Sequence, residues 1–217
     1  MTNKVASSKK ALIVQGGWDG HHPKQCADLF ENLLTQKGID VEVSDTLDTY
    51  LDADKLAGLS LIVPIWTMGT ITPEQSKGLL QAVESGVGLA GFHGGMCDSF
   101  RADTAYQWMT GGQWVAHPGN IYPSYDVNIT VDNHPITQGL SDFTLKQTER
   151  YYLHTDPSNN VLATITFEET GVVMPYLWTK NWGKGKVFYA AWGHTENDFD
   201  DATSREIVVR GMQWAAR

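Results

Sequence analysis

The 217-residue chain can bury one substantial core, and 41% hydrophobic with 19% charged residues is a globular composition, not a disordered or fibrous one. A formal net charge of -9, with no Lys/Arg cluster beyond Lys9-Lys10, excludes the basic face that nucleic-acid binding needs. No apolar run reaches the roughly 18 residues that span a bilayer, and Cys26 and Cys97 alone make no disulfide framework. Residues 1–10 are polar and lack a signal-peptide core, so they read as a loose tail on a cytoplasmic protein, with residues 11–217 as a single domain.

Ala11–Gln15 is predicted to be a buried strand stopped by Gly16-Gly17. Pro23 then opens a helix whose apolar face is Cys26, Ala27, Phe30, Leu33 and Leu34. Gly38 ends that helix, and Ile39, Val41 and Val43 alternate as a second strand. Leu59–Ile65 is a third apolar run. Thr72-Pro73-Glu74 starts another helix, with Thr72 as its cap, and Gly86–Phe92 is a fourth strand. Strands alternating with helices imply a parallel sheet covered on both faces. Beyond residue 112 the rhythm changes. Tyr125–Val131 and parts of Val161–Phe167 alternate, and Val172–Trp178 faces Lys186–Ala191 across a glycine-rich turn. Ser204–Ala216 closes the chain as an amphipathic helix. The expected fold is a doubly wound α/β sheet with an antiparallel extension in its C-terminal half.

The chemistry concentrates where strands meet loops, the edge of such sheets at which ligands collect. The run Val87–Phe92 ends in His93-Gly94-Gly95, an elbow that would lift the imidazole out of the turn, with both glycines against a bound ligand. After the first strand comes Gly16-Gly17-Trp18-Asp19-Gly20-His21-His22. Adjacent histidines cannot point the same way, so His22, beside Pro23, is read as facing the site and His21 as solvated. Trp18 and Trp66 could wall a pocket, core packing being equally open for Trp66. Glu149, Tyr151 and His154 could reach the same cleft. A later strand ends in Gly193-His194, with Glu196 placed to orient that histidine. His93 and His194 thus end two distant strands and could share acid/base work or a divalent metal such as zinc. The eight tryptophans and eight tyrosines suit pocket walls and sugar faces.

Five motifs, in order, resemble the ThuA-like (trehalose-utilisation) family. They are Gly88–Gly95, His134-Pro135-Ile136-Thr137-Gln138-Gly139-Leu140, Glu149-Arg150-Tyr151, Pro175–Trp178, and Gly183–Tyr189 with Gly193-His194. The resemblance implies a class I glutamine amidotransferase-like, flavodoxin-like sandwich. In that superfamily the elbow carries a cysteine, and a late His with a Glu two residues on completes the triad. Here His93 occupies the elbow, His194 and Glu196 match the partners, and Cys97 lies on the wrong side to substitute, so glutaminase chemistry is not expected. Thr148 stands where the family has an acidic residue. The family's association with trehalose breakdown, sugar-oxidising dehydrogenases and 3-keto-glycosides implies a small carbohydrate ligand. It also implies catalysis by His93, His194 and Glu149 on a glycoside or keto-sugar. The rival expectation is a non-catalytic sugar-binding or scaffolding protein, and a homo-oligomer is left open. Neither nucleic acid nor a membrane is expected as a partner.

Overall fold

The apolar runs of the first half build the parallel part of the sheet. The computed structural model describes residues 9–217, so the predicted tail at residues 1–8 lies outside the described residues. Lys10 does not belong to a tail. It begins β1 (Lys10–Gly17), and the Lys9 ammonium donates to the Ala216 carbonyl at 2.7 Å. Gly16 and Gly17 do not stop β1 either, because they go on pairing with Trp66 and Thr67 of β3 (Leu61–Thr67).

With β2 (Asp40–Ser44), β4 (Gly88–Phe92) and β11 (Gly185–Ala190), these strands form a parallel array in the order β2-β1-β3-β4-β11. Helices cover both faces, so β1, β3 and β4 carry continuous apolar runs, not alternating ones. On one face α1 (Pro23–Gln36) packs beside α6 (Ala202–Ala215). On the other, α3 (Pro73–Ser85) packs against α2 (Ala53–Ala57) and α5 (Thr104–Thr110). The predicted start of α3 is a full capping box: Thr72 accepts from the Gln75 amide, and the Gln75 side chain accepts from the Thr72 amide.

Past β11 the sheet turns antiparallel through β10 (Val172–Trp182), β9 (Asn160–Phe167), β6 (Ile121–Ile129) and β7 (Phe143–Glu149). The expected hairpin has Trp178 opposite Tyr189 and a tight turn at Gly183-Lys184. A separate two-stranded ribbon pairs β5 (Gly112–Ala116) with β8 (Tyr152–Thr155). The fold is thus the expected flavodoxin-like α/β architecture with its antiparallel extension. Among the described residues, no helix is long and apolar enough to cross a membrane.

Candidate active site at the carboxyl edge of the parallel strands

Four strand ends meet here, each delivering one side chain. After β4, His93 opens the short helix α4 (His93–Cys97) with φ 47, a left-handed conformation rare for a residue with a Cβ. This is the elbow expected from sequence. Its side chain is not lifted into solvent, however: His93 is 1% exposed, lies under the ring of Tyr151 (centroids 3.8 Å apart), and has Nδ1 3.0 Å from the Ala191 carbonyl. The following glycine permits a close approach, since a Cβ on Gly94 would stand 2.6 Å from His21 Cε1 and 2.8 Å from the Tyr151 hydroxyl.

After β1, a single 3-10 turn, Asp19–His21, swings His21 inward. Its Nδ1 lies 2.7 Å from the Thr67 hydroxyl at the end of β3, which turns Nε2 toward the centre. Glu149 is the last residue of β7 and is buried. After β11, the amides of Gly193 and His194 donate to Asp198 at 3.0 and 2.8 Å, and this anchors the His194 loop.

The outcome is one carboxylate oxygen ringed by three imidazoles. Glu149 Oε2 lies 3.1 Å from His93 Nε2, 3.4 Å from His194 Nδ1 and 3.7 Å from His21 Nε2. All four ligand atoms fall within 4.8 Å of one another. A zinc with bonds of about 2.0–2.1 Å sets neighbouring ligands roughly 3.3 Å apart, which the three distances to Glu149 Oε2 approach, while the widest spacing in the cluster reaches 4.8 Å. Protonation agrees. Burial, opposed by the contact with Glu149, lowers the His93 pKa to about 3 and keeps the ring neutral. The Ala191 carbonyl can only accept, so the one proton sits on Nδ1 and the Nε2 lone pair faces a carboxylate oxygen. Burial acts to raise the Glu149 pKa, but the His194, His21 and His93 contacts outweigh it and leave the carboxylate ionised. Two lone pairs 3.1 Å apart call for a cation between them. His194 Nδ1 is likewise buried without a hydrogen-bond partner. The residues present fit a divalent metal.

A sequence model of the ThuA family, described as trehalose utilisation, matches residues 10–215. The chain belongs to the ThuA family. That description sets it in carbohydrate use. A ThuA-like protein from Bacteroides uniformis shares its fold with TM-score 0.78 at 20% identity, over 99% of this chain and 95% of that one. One from Parabacteroides merdae gives 0.78 at 18% identity, over 96% and 90%. A cytoplasmic protein from Salmonella typhimurium gives 0.71 at 16% identity, over 96% and 100%. No curated protein matches the sequence.

Within this ThuA-family chain several expectations need correction. The inward histidine of the first loop is His21. His22 adopts φ 46, which directs its ring outward to Glu196, 2.8 Å away. Glu196 therefore pairs with His22 and does not orient His194; Asp198 holds that loop. Thr148, the departure from the family motif, donates to the same Asp198 carboxylate at 2.7 Å. His154 alternates outward from buried Leu153 on β8 and does not reach the cleft. Trp66 packs its ring against Gly16 and Gly69. Gly94 and Gly95 serve close packing against His21, Tyr151 and Ile65 and are not among the residues that line the cavity beside the cluster. Trp18 does stand at the site, 46% exposed and edge-on to His21.

Sequence reasoning missed Thr67, Asp98, Arg101, Trp114 and His117, none of which sits in a recognisable motif. His117 is a fourth imidazole, with Nε2 3.8 Å from the other oxygen of Glu149.

Two expected results follow from these placements. Thr67→Val removes the hydroxyl that aligns His21 and should weaken metal retention by roughly 10–100-fold in competition with a chelator, the usual cost of losing such a support. Cys97 ends α4, fully buried, and burial pushes its thiol pKa up. Cys97→Ser should cost about 1 kcal/mol of stability and leave metal content unchanged.

Proposed function

We propose that this chain is an enzyme of carbohydrate catabolism acting on a glycoside or keto-sugar derived from a trehalose-type disaccharide. A divalent metal such as zinc would be held by His21, His93, His194 and Glu149. The observation that carries the reading is the convergence of three imidazoles on one ionised carboxylate beside a cavity of about 120 Å³, which Glu149, His21 and Tyr151 help to line.

A divalent ion there would supply Lewis-acid polarisation of a substrate carbonyl taken up in addition to the four protein ligands. The protein's own groups account for the remainder. A 3-keto group acidifies the adjacent C–H bond. His117, whose Nε2 lies 3.8 Å from the other oxygen of Glu149, would accept that proton at Nε2. The released electron pair forms a carbon–carbon double bond as the C–O bond to the aglycone breaks, and the departing oxygen takes a proton from water. Tyr151, whose pKa burial raises well above the usual phenol range, would stay a neutral O–H donor in the lining of the cavity. Elimination of this kind needs no covalent nucleophile, consistent with an elbow that carries His93 where related folds carry cysteine.

The test is a turnover screen. Protein purified without an affinity tag is offered 3-keto-glycosides alongside the parent glycosides, and aglycone release is followed. Release from the keto compounds alone is expected. Binding without turnover across the panel would favour the non-catalytic sugar-binding reading.

A further inference from the structure

Two of the four converging ligands sit on loops that come together from opposite ends of the chain. His21 ends the 3-10 turn after β1, and His194 lies in the loop after β11. Strand pairing does not join β1 to β11, because β3 and β4 stand between them. Two side-chain contacts tie the loops instead. One is apolar: Phe199, in the 3-10 turn Glu196–Phe199, packs edge-on against Phe30 of α1 with centroids 4.8 Å apart. The other is polar: a ring N–H of His22 donates through Nδ1 to Glu196 Oε2 at 2.8 Å. His22 follows His21 directly, and Glu196 is two residues beyond His194. A bond between them therefore fixes the spacing of the two ligand-bearing loops.

The backbone is strained where this bond is made. His22 has φ 46 and ψ 51, left-handed values that a residue with a Cβ rarely adopts. Its amide donates to the Asp19 carbonyl and its carbonyl accepts from the Cys26 amide, both at 3.0 Å. Glycine would make both bonds and the same turn without strain, and His21 would still face inward. The imidazole is needed only for Glu196. A strained residue held in place by its surroundings points to a use for its side chain.

Resting on the metal site proposed above, we infer that His22 and Glu196 are positioning residues that hold the His21 and His194 loops in the arrangement that binds the ion. Neither belongs to the converging set of ligands, and both side chains are half-exposed. Their bond forms at one loop spacing, so it favours whatever needs that spacing. Without it the loops must be ordered as the ion binds, and affinity falls by that amount. Thr67 aligns one ring; the His22–Glu196 bond aligns two loops.

The test is zinc affinity by competition with a chromogenic chelator, with the melting temperature of the metal-free protein measured alongside. His22→Gly deletes the ring and relieves the backbone. It should bind zinc about fivefold more weakly, equivalent to about 1 kcal/mol, the net worth of one hydrogen bond. Its metal-free melting temperature should hold or rise. A merely structural residue would not separate the two readouts in this way. His22→Asn tolerates the left-handed backbone and offers an N–H donor in place of the ring, so it should restore affinity. Glu196→Ala should show the same fivefold loss, and combining it with His22→Gly should lose no more. It also supplies the test should His22→Gly not fold. Three results would overturn the positioning role and leave the proposed metal site standing: wild-type affinity in both single variants, additive losses in the double, or an asparagine variant as weak as the glycine one. Wild-type protein that takes up no zinc would overturn that site and this inference together.

Discussion

Replacing His93 with alanine is expected to abolish metal retention and also to lower the melting temperature by about 5–15 °C. His93 is buried, packs under Tyr151 and faces the Ala191 carbonyl through Nδ1. Deleting the ring leaves a void and an unpaired carbonyl, together worth on the order of 2–4 kcal/mol, and a chain of this size loses roughly 2–4 °C per kcal/mol. A solvent-facing elbow histidine would have shown no such loss. The backbone offers an internal control. At φ 47 an alanine still bears the left-handed strain, whereas glycine does not. His93→Gly should therefore be about 1 kcal/mol more stable than His93→Ala while equally empty of metal.

The same residue sets an acid limit on the metal-free fold. In the unfolded chain His93 takes up a proton near its ordinary pKa of 6.5, whereas in the folded state burial delays this to about 3. Between those values the unfolded state binds the extra proton, so stability falls as pH falls through that window. In the presence of a chelator, wild-type protein should lose melting temperature more steeply from pH 6.5 downward than His93→Gly does. Equal slopes would show that the imidazole is not held neutral.

Glu149→Gln is the second large effect. The substitution preserves the shape of the side chain and removes the only carboxylate among the four converging groups. The substitution removes a ligand and its charge together, so retention should fall by more than about a hundredfold, beyond the roughly 10–100-fold typical of changes to supporting groups. The metal-free variant should fold normally, because the amide can still accept from a ring N–H and donate to a lone pair. Thermal melts with and without added zinc would show it: a large upward shift in wild type and almost none in Glu149→Gln.

Much of this architecture was legible in the sequence because long buried runs identify themselves. Ala11–Val14, Leu61–Ile65 and Leu89–Phe92 are continuous apolar segments punctuated by glycine or proline, and all lie in the parallel array. The β5–β8 ribbon was not legible, being short and half exposed with its two strands far apart in the chain, and β7 was not legible either, although it pairs with the preceding strand β6. Within the site, His93, His194 and Glu149 stood out because each follows an apolar strand or sits in a family motif. The choice between His21 and His22 depended on one 3-10 turn and a left-handed residue, which composition does not encode. The same turn freed Glu196 from the role its spacing suggested and left it to His22. His117 and Trp114 join the site only through the register of a small ribbon that closes over it, and no local pattern marks them.

On the function proposed above, His21, His93, His194 and Glu149 together hold one divalent ion. The most direct measurement is elemental analysis by mass spectrometry of protein purified without an affinity tag and dialysed against metal-free buffer. The expected result is about one equivalent of a divalent metal such as zinc per chain, as one cluster of four converging protein ligands implies. Metal at or below the buffer background, with no uptake when zinc is added back to the folded protein, would contradict it.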